Sequence, residues 1–167
     1  IKIGVDRNCL SSGVDEDTIK AYENTIDVFT SCGAEIVEVS FKMLEYVVPV
    51  YYLIACSEAS SNLARYDGIR YGVRAEVNSP EEIIVNSRSK GFGKEVKRRI
   101  MLGTYALSSG YYDAYYNKAL KARRLIKDDF YKVLDKCDAY LCPTTPSPAY
   151  KIGEKTEDFL SMYIADI

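Results

Sequence analysis

Two rhythms of apolar and polar positions organise this 167-residue chain. Ile1 to Val5 is a short, mostly apolar run that reads as a buried strand. Asp15, Glu16 and Asp17 follow a glycine-containing loop, and carboxylates there suit the positive end of a helix dipole. Ile19, Tyr22, Ile26 and Phe29 then recur at helical spacing, and Gly33 is placed to cap the helix C-terminus. Ala34 to Phe41, "AEIVEVSF", switches to a period of two and predicts a second strand. Strand, helix and strand in this order favour parallel pairing with a right-handed crossover.

The pattern next predicts a helix from about Tyr46 to Tyr66, with Pro49 tolerable only in its first turn and Asp67-Gly68 ending it. Ser79-Pro80-Glu81-Glu82 reads as a helix start, with Ser79 as N-cap and Pro80 at the first helical position. That helix should stop near Gly91 and Gly93. One helix is expected from Lys94 to about Ser108, and a longer one from Tyr111 to about Lys136. Asp138 to Cys142 reads as a third strand, Pro143 to Ala149 as an irregular loop, and Asp158 to Ile167 as the beginning of another amphipathic helix. Three strands are few for helices this long and apolar. We therefore expect a fragment of a larger α/β protein, a single partial domain over residues 1–167 with no internal linker.

Composition narrows the chemistry. Hydrophobic residues make up 47% and charged residues 28%, as in an ordinary globular chain. The longest apolar run, Tyr46 to Cys56, holds Pro49 and is too short to span a membrane. The opening "IKIGVDRN" lacks both regions of a signal peptide. The five cysteines are scattered, with no C-x-x-C pair, and read as reduced thiols of a cytoplasmic protein. There is no histidine, so Ser-His-Asp and Cys-His catalysis are excluded.

Two basic clusters contain Lys94, Lys97, Arg98 and Arg99, then Lys118, Lys121, Arg123, Arg124 and Lys127. Interleaved with tyrosines they suggest a surface for nucleic acid or a partner protein. The net charge of −2 and the acidic Asp128, Asp129 and Asp135 argue for a solvated face instead. Tyr111, Tyr112, Tyr115 and Tyr116 form a stripe that reads as a core face. Ser57, Ser60, Ser61, Ser108 and Ser109 have no base at local spacing and read as packing or capping, not as nucleophiles. Arg99 shares a helix side with Leu102 and Ala106, so its guanidinium is expected to turn inward to a carboxylate, either a protein group or a ligand.

Three strings, "EASSNLARYDGIRYG" (Glu58 to Gly72), "SRSKGFGKEVKRRIMLGTYALSSGYYDAYYNKALKARRLI" (Ser87 to Ile126) and "CPTTPSPA" (Cys142 to Ala149), resemble the amidase signature family. Within it they look like the A subunits of bacterial glutamyl-tRNA(Gln) amidotransferases. The resemblance implies a three-layer α/β/α fold, a mixed sheet covered by helices, and a protein that hydrolyses glutamine. Ammonia would pass to a second subunit for ATP- and Mg-dependent conversion of Glu-tRNA(Gln) to Gln-tRNA(Gln). The implied partners are glutamine, subunits B and C, and tRNA through the complex.

The family nucleophile is a serine activated by a second serine and a lysine, within a Gly/Ser-rich stretch that has no counterpart here. The resemblance thus assigns no catalytic residue and no cofactor to this segment, and activity from the segment alone is not expected. It assigns substrate binding to Tyr51, to Arg99 for the substrate carboxylate (Arg98 being the adjacent alternative), and to Asp166 for the ammonium. A related amidase acting on another amide is the first alternative, and the absence of an α-amino acid clamp would mark it.

Overall fold

The computed structural model describes residues 1–10 and 13–153. Its elements run β1 (Lys2–Val5), α1 (Glu16–Ser31), β2 (Glu35–Glu38), α2 (Val47–Leu63), α3 (Pro80–Gly91), α4 (Lys94–Leu107), α5 (Tyr116–Leu134) and β3 (Ala139–Leu141). Short 3-10 turns precede α1 and α2. This is an α/β fold. The chain gathers into two compact units, one of Ile1–Val48 and Arg123–Ile167, the other of Pro49–Ala122.

The first unit is built on a three-stranded sheet in the order β2-β1-β3. All pairings are parallel, with Ile3 opposite Ile36 and Ala139. The expected parallel β-α-β unit is therefore present. Strand alternation divides the apolar residues between two faces. Ile3 and Val5 pack with Tyr22 and Ile26 of α1, while Val39 and Phe41 pack with Val133 of α5 and Cys137 just after it. A side chain on Gly4 would meet the Cys137 sulfur at 2.6 Å, so the middle strand is kept bare where the segment between α5 and β3 approaches.

Local chemistry explains the ends of α1. Asp15 is the N-cap and its carboxylate accepts the Asp17 N–H at 2.9 Å. Gly33 follows the C-cap with φ of +84°, a left-handed conformation that favours glycine. The Tyr22 hydroxyl donates to the Leu141 carbonyl at 3.2 Å, and burial pushes its pKa up to about 12.

An unfolded tyrosine ionises near pH ~10, so the neutral Tyr22 phenol favours the folded state fully below that pH. The advantage is lost as pH rises from about 10 towards about 12. Tyr22→Phe is expected to flatten the alkaline fall of the urea midpoint in that window, and a curve superimposable on the parent would count against it.

Two buried aspartates hold the loop after β2. Asp6, fully buried, accepts the Asn8 N–H at 2.9 Å and the Phe41 N–H at 3.0 Å. Asp129 of α5 accepts the Lys42 and Met43 N–H groups at 2.7 and 3.1 Å. Three successive backbone donors are thus satisfied by two carboxylates. Asp129 is one of the residues read from sequence as part of a solvated face, and here it is buried instead.

In the second unit, Pro49 lies in the first turn of α2, as its missing N–H requires. Past the end of α2, Asp67 accepts the Ile69 and Arg70 N–H groups and Gly68 turns at φ +81°. Arg88 of α3 donates to the Leu63 and Tyr66 carbonyls, closing the end of α2. Ser79 stands at the N-cap of α3, but its hydroxyl makes no capping bond.

The tyrosine doublets depart from expectation. Residues 111–115 form turns rather than the start of α5, and Tyr111, Tyr112 and Tyr115 are 42%, 38% and 38% exposed. They are not a core face. Tyr105, Tyr111 and Tyr115 cluster instead on one another, with ring centroids 4.4 to 5.9 Å apart. The reason lies in the backbone: the Asn117 N–H reaches back five residues to the Tyr112 carbonyl, a widened turn that rotates the first doublet out of the phase of α5.

Candidate functional site at the α2–α4 crossing

The second unit brings α2 and α4 together at Gly103. A Cβ there would lie 2.0 Å from the Cys56 carbonyl oxygen and 2.7 Å from the Ser60 Cβ. Glycine lets the two backbones nearly touch. One turn on, Ala106 is buried, and the Ser60 and Thr104 hydroxyls meet at 2.9 Å.

Towards the N-terminal end of α4 the crossing becomes polar. Helical side chains lean towards the N-terminus, so Arg98 and Arg99 both reach back to Glu95 in the first turn. Arg99 Nε lies 3.1 Å from Glu95 Oε1, and Arg98 Nη1 lies 3.7 Å from Glu95 Oε2. Arg98 Nη2 also donates to the Tyr52 hydroxyl of α2 at 2.9 Å. Tyr52, Glu95, Arg98 and Arg99 thus form one chain of contacts across the helix pair. Burial pushes the neighbouring Cys56 thiol above its ordinary pKa, while Arg99 and the Tyr52 hydroxyl act in the opposite sense. It is suited to packing rather than to attack as a thiolate.

Arg99 does turn inward. Its side chain is 27% exposed against 38% for Arg98, so it is the more inward of the two. It pairs with the carboxylate of Glu95, four residues earlier on the same helix. Of the apolar residues used to phase it, Ala106 is buried but Leu102 is exposed. Tyr51 is half-buried on α2. The tyrosine that accepts from Arg98 is its neighbour Tyr52, which sequence reasoning passed over. Asp166 lies outside the described residues, as does the helix predicted from Asp158.

The serines behave as structural groups. Ser57 is buried and donates to the Leu53 carbonyl at 2.7 Å, and Ser108 donates to the Tyr105 carbonyl at 2.8 Å. Several basic residues are held locally: Lys97 donates to the Ser89 carbonyl at 2.6 Å, and Arg124 pairs with Asp128 at 3.1 Å. No helix among the described residues is long and apolar enough to cross a membrane.

The Amidase family model matches residues 1–167. The chain belongs to that family. Its relatives include the A subunits of glutamyl-tRNA(Gln) amidotransferases from several bacteria. It is 56% identical over its full length to the one from Caldanaerobacter subterraneus subsp. tengcongensis, and 55% identical over 99% of its length to the one from Clostridium botulinum. It covers 34% of each of those proteins, so it spans about a third of the length of the curated relatives it matches.

Among solved structures, the protein of the same name from Thermotoga maritima superposes with a TM-score of 0.68 at 36% identity, over 99% of this chain and 31% of that one. A crystal structure titled simply amidase gives 0.69 at 22% identity, over 92% of this chain and 30% of that one, and speaks for the fold alone.

Proposed function

We propose that this chain is part of the glutaminase component of a glutamyl-tRNA(Gln) amidotransferase and contributes one wall of its glutamine pocket. The observation that carries the reading is the identity above 50% to proteins of that name over nearly the whole chain. The α2–α4 cluster supports it chemically. A planar guanidinium grips a carboxylate through two parallel N–H bonds, and Arg99 is the more inward arginine of the cluster.

In this reading Arg99 holds the substrate α-carboxylate, Tyr51 lines the pocket, and Asp166 takes the α-ammonium. The nucleophilic serine, its partner serine and the lysine belong to residues beyond this segment. Subunits B and C, tRNA, ATP and Mg belong to the assembled enzyme, in the cytoplasm.

The test is made on the assembled amidotransferase. Arg99→Ala is expected to weaken glutamine use mainly through KM, by about 2–5 kcal/mol for loss of one member of a buried charge pair. An unchanged KM for glutamine would refute the role. The 167-residue segment by itself is expected to release no ammonia from glutamine, and measurable release would refute the division of labour.

A further inference from the structure

Beyond Gly103 the α2–α4 pair opens into a cavity of about 370 Å³ that the glutamine reading does not use. Its wall includes Glu58, Ser61 and Asn62 of α2, Leu107 at the end of α4, and Tyr112 and Tyr116 where the chain turns into α5. All of these belong to the second unit. Among the described residues the Glu58 carboxylate has no hydrogen bond or ion pair, and the hydroxyls of Ser61, Tyr112 and Tyr116 have no hydrogen bond. Asn62 Oδ1 accepts from Arg65 Nη2 at the long distance of 3.5 Å. Open polar groups are ordinary when scattered over a surface. Here they converge on one concavity, as in sites that take small ligands.

Charge decides which ligand. Among the described residues Glu58 is the only charged side chain in the wall. There α4 ends at Leu107 with no basic residue in its last turn, so the negative end of its dipole adds to the carboxylate. The phenol rings of Tyr112 and Tyr116, with centroids 5.4 Å apart, add π-systems of the kind that attract cations. We propose that this cavity binds an alkylammonium group. An ammonium carries three donors and no acceptor, and the cavity offers acceptors: the Glu58 carboxylate, the Asn62 carbonyl and the hydroxyl oxygens. The alkyl stem finds apolar surface on Leu107 and the two rings. An anion would be repelled by Glu58 and by the helix end alike. A free amine and a lysine side chain of a partner protein present the same group, and the test separates them.

The experiment titrates the full 167-residue chain with n-butylammonium chloride, with n-butanol, which has a similar shape and no charge, and with Nα-acetyllysine amide. Amide chemical shifts are followed by NMR. Saturable shifts at Asn62, Tyr112 and Tyr116 are expected with the ammonium probes and not with n-butanol. Glu58→Gln keeps the size of the side chain and removes its charge, and is expected to weaken binding by about tenfold or more. Its melting temperature is expected to hold, because Glu58 is exposed and has no partner to lose among the described residues. Tyr112→Phe keeps the ring, deletes one acceptor and is expected to weaken binding by about threefold. Tighter binding of n-butylammonium than of the lysine probe assigns the cavity to a free amine, and the reverse order assigns it to a partner's lysine. No saturable shift from either ammonium probe means that water alone fills the cavity, and overturns the proposal. Equal binding of n-butanol overturns it as well, as does an affinity unchanged in Glu58→Gln or lost only in step with a lower melting temperature.

Discussion

Gly103→Ala is expected to destabilise the chain by about 3 kcal/mol or more, against the usual sign for such a change. Glycine within a helix normally costs about 1 kcal/mol relative to alanine, so propensity alone favours the variant. Packing decides otherwise. The new methyl would stand 2.0 Å from the Cys56 carbonyl oxygen and 2.6 Å from the carbonyl carbon. Both are backbone atoms, so no side chain can swing aside. The helices must part by on the order of 1 Å to reach ordinary contact, which forfeits dispersion along the whole seam. The Ser60–Thr104 and Arg98–Tyr52 hydrogen bonds bridge the same pair of helices and would stretch with it. Urea unfolding followed by circular dichroism measures the effect, and a variant as stable as the parent would show that α2 and α4 do not approach this closely.

The second large effect is expected at Asp6. Asp6→Asn should cost about 2–4 kcal/mol although the side chain keeps its shape. The carboxylate accepts at both oxygens, from Asn8 N–H and from Phe41 N–H, in a fully buried position. An amide offers one oxygen and one NH2 group. Whichever way it is turned, a donor faces a donor, and a buried backbone N–H is left without its acceptor. Loss of the Phe41 bond would also release the loop whose next two N–H groups are held by Asp129. Denaturant titration provides the measurement; a midpoint within error of the parent would mean that the loop finds other acceptors.

What could be read beforehand follows the range of the interactions. The ends of α1 were legible because Asp15, Asp17 and Gly33 act on their own backbone within a turn. The three strands were legible as short apolar or alternating runs, although each is shorter than its pattern suggested. The role of Asp6 was not legible, because its partner Phe41 is 35 positions away.

At the site, the inward turn of Arg99 came from helix phase. Its partner Glu95 also stands at the i, i+4 spacing that pairs charges on a helix, a signal present in the sequence. Tyr52 could not be told from Tyr51, because α2 is apolar on nearly every side at "VVPVYYLIAC" and offers no phase. The tyrosine stripe misled for a related reason: spacing shows which residues align on a regular helix, not whether the helix is regular there.

The tyrosine cluster has an optical consequence. The chain contains 15 tyrosines and no tryptophan, so its near-ultraviolet signal belongs to phenol rings. Tyr105, Tyr111 and Tyr115 lie close enough, at tilts of 30° to 53°, for their transitions to couple, and Tyr112 and Tyr116 pair beside them at 5.4 Å. Coupled rings held at fixed angles give a chiral signature that vanishes once they turn independently. The corner between α4 and α5 therefore carries its own reporter in near-ultraviolet circular dichroism, and its ordering can be followed there without a label.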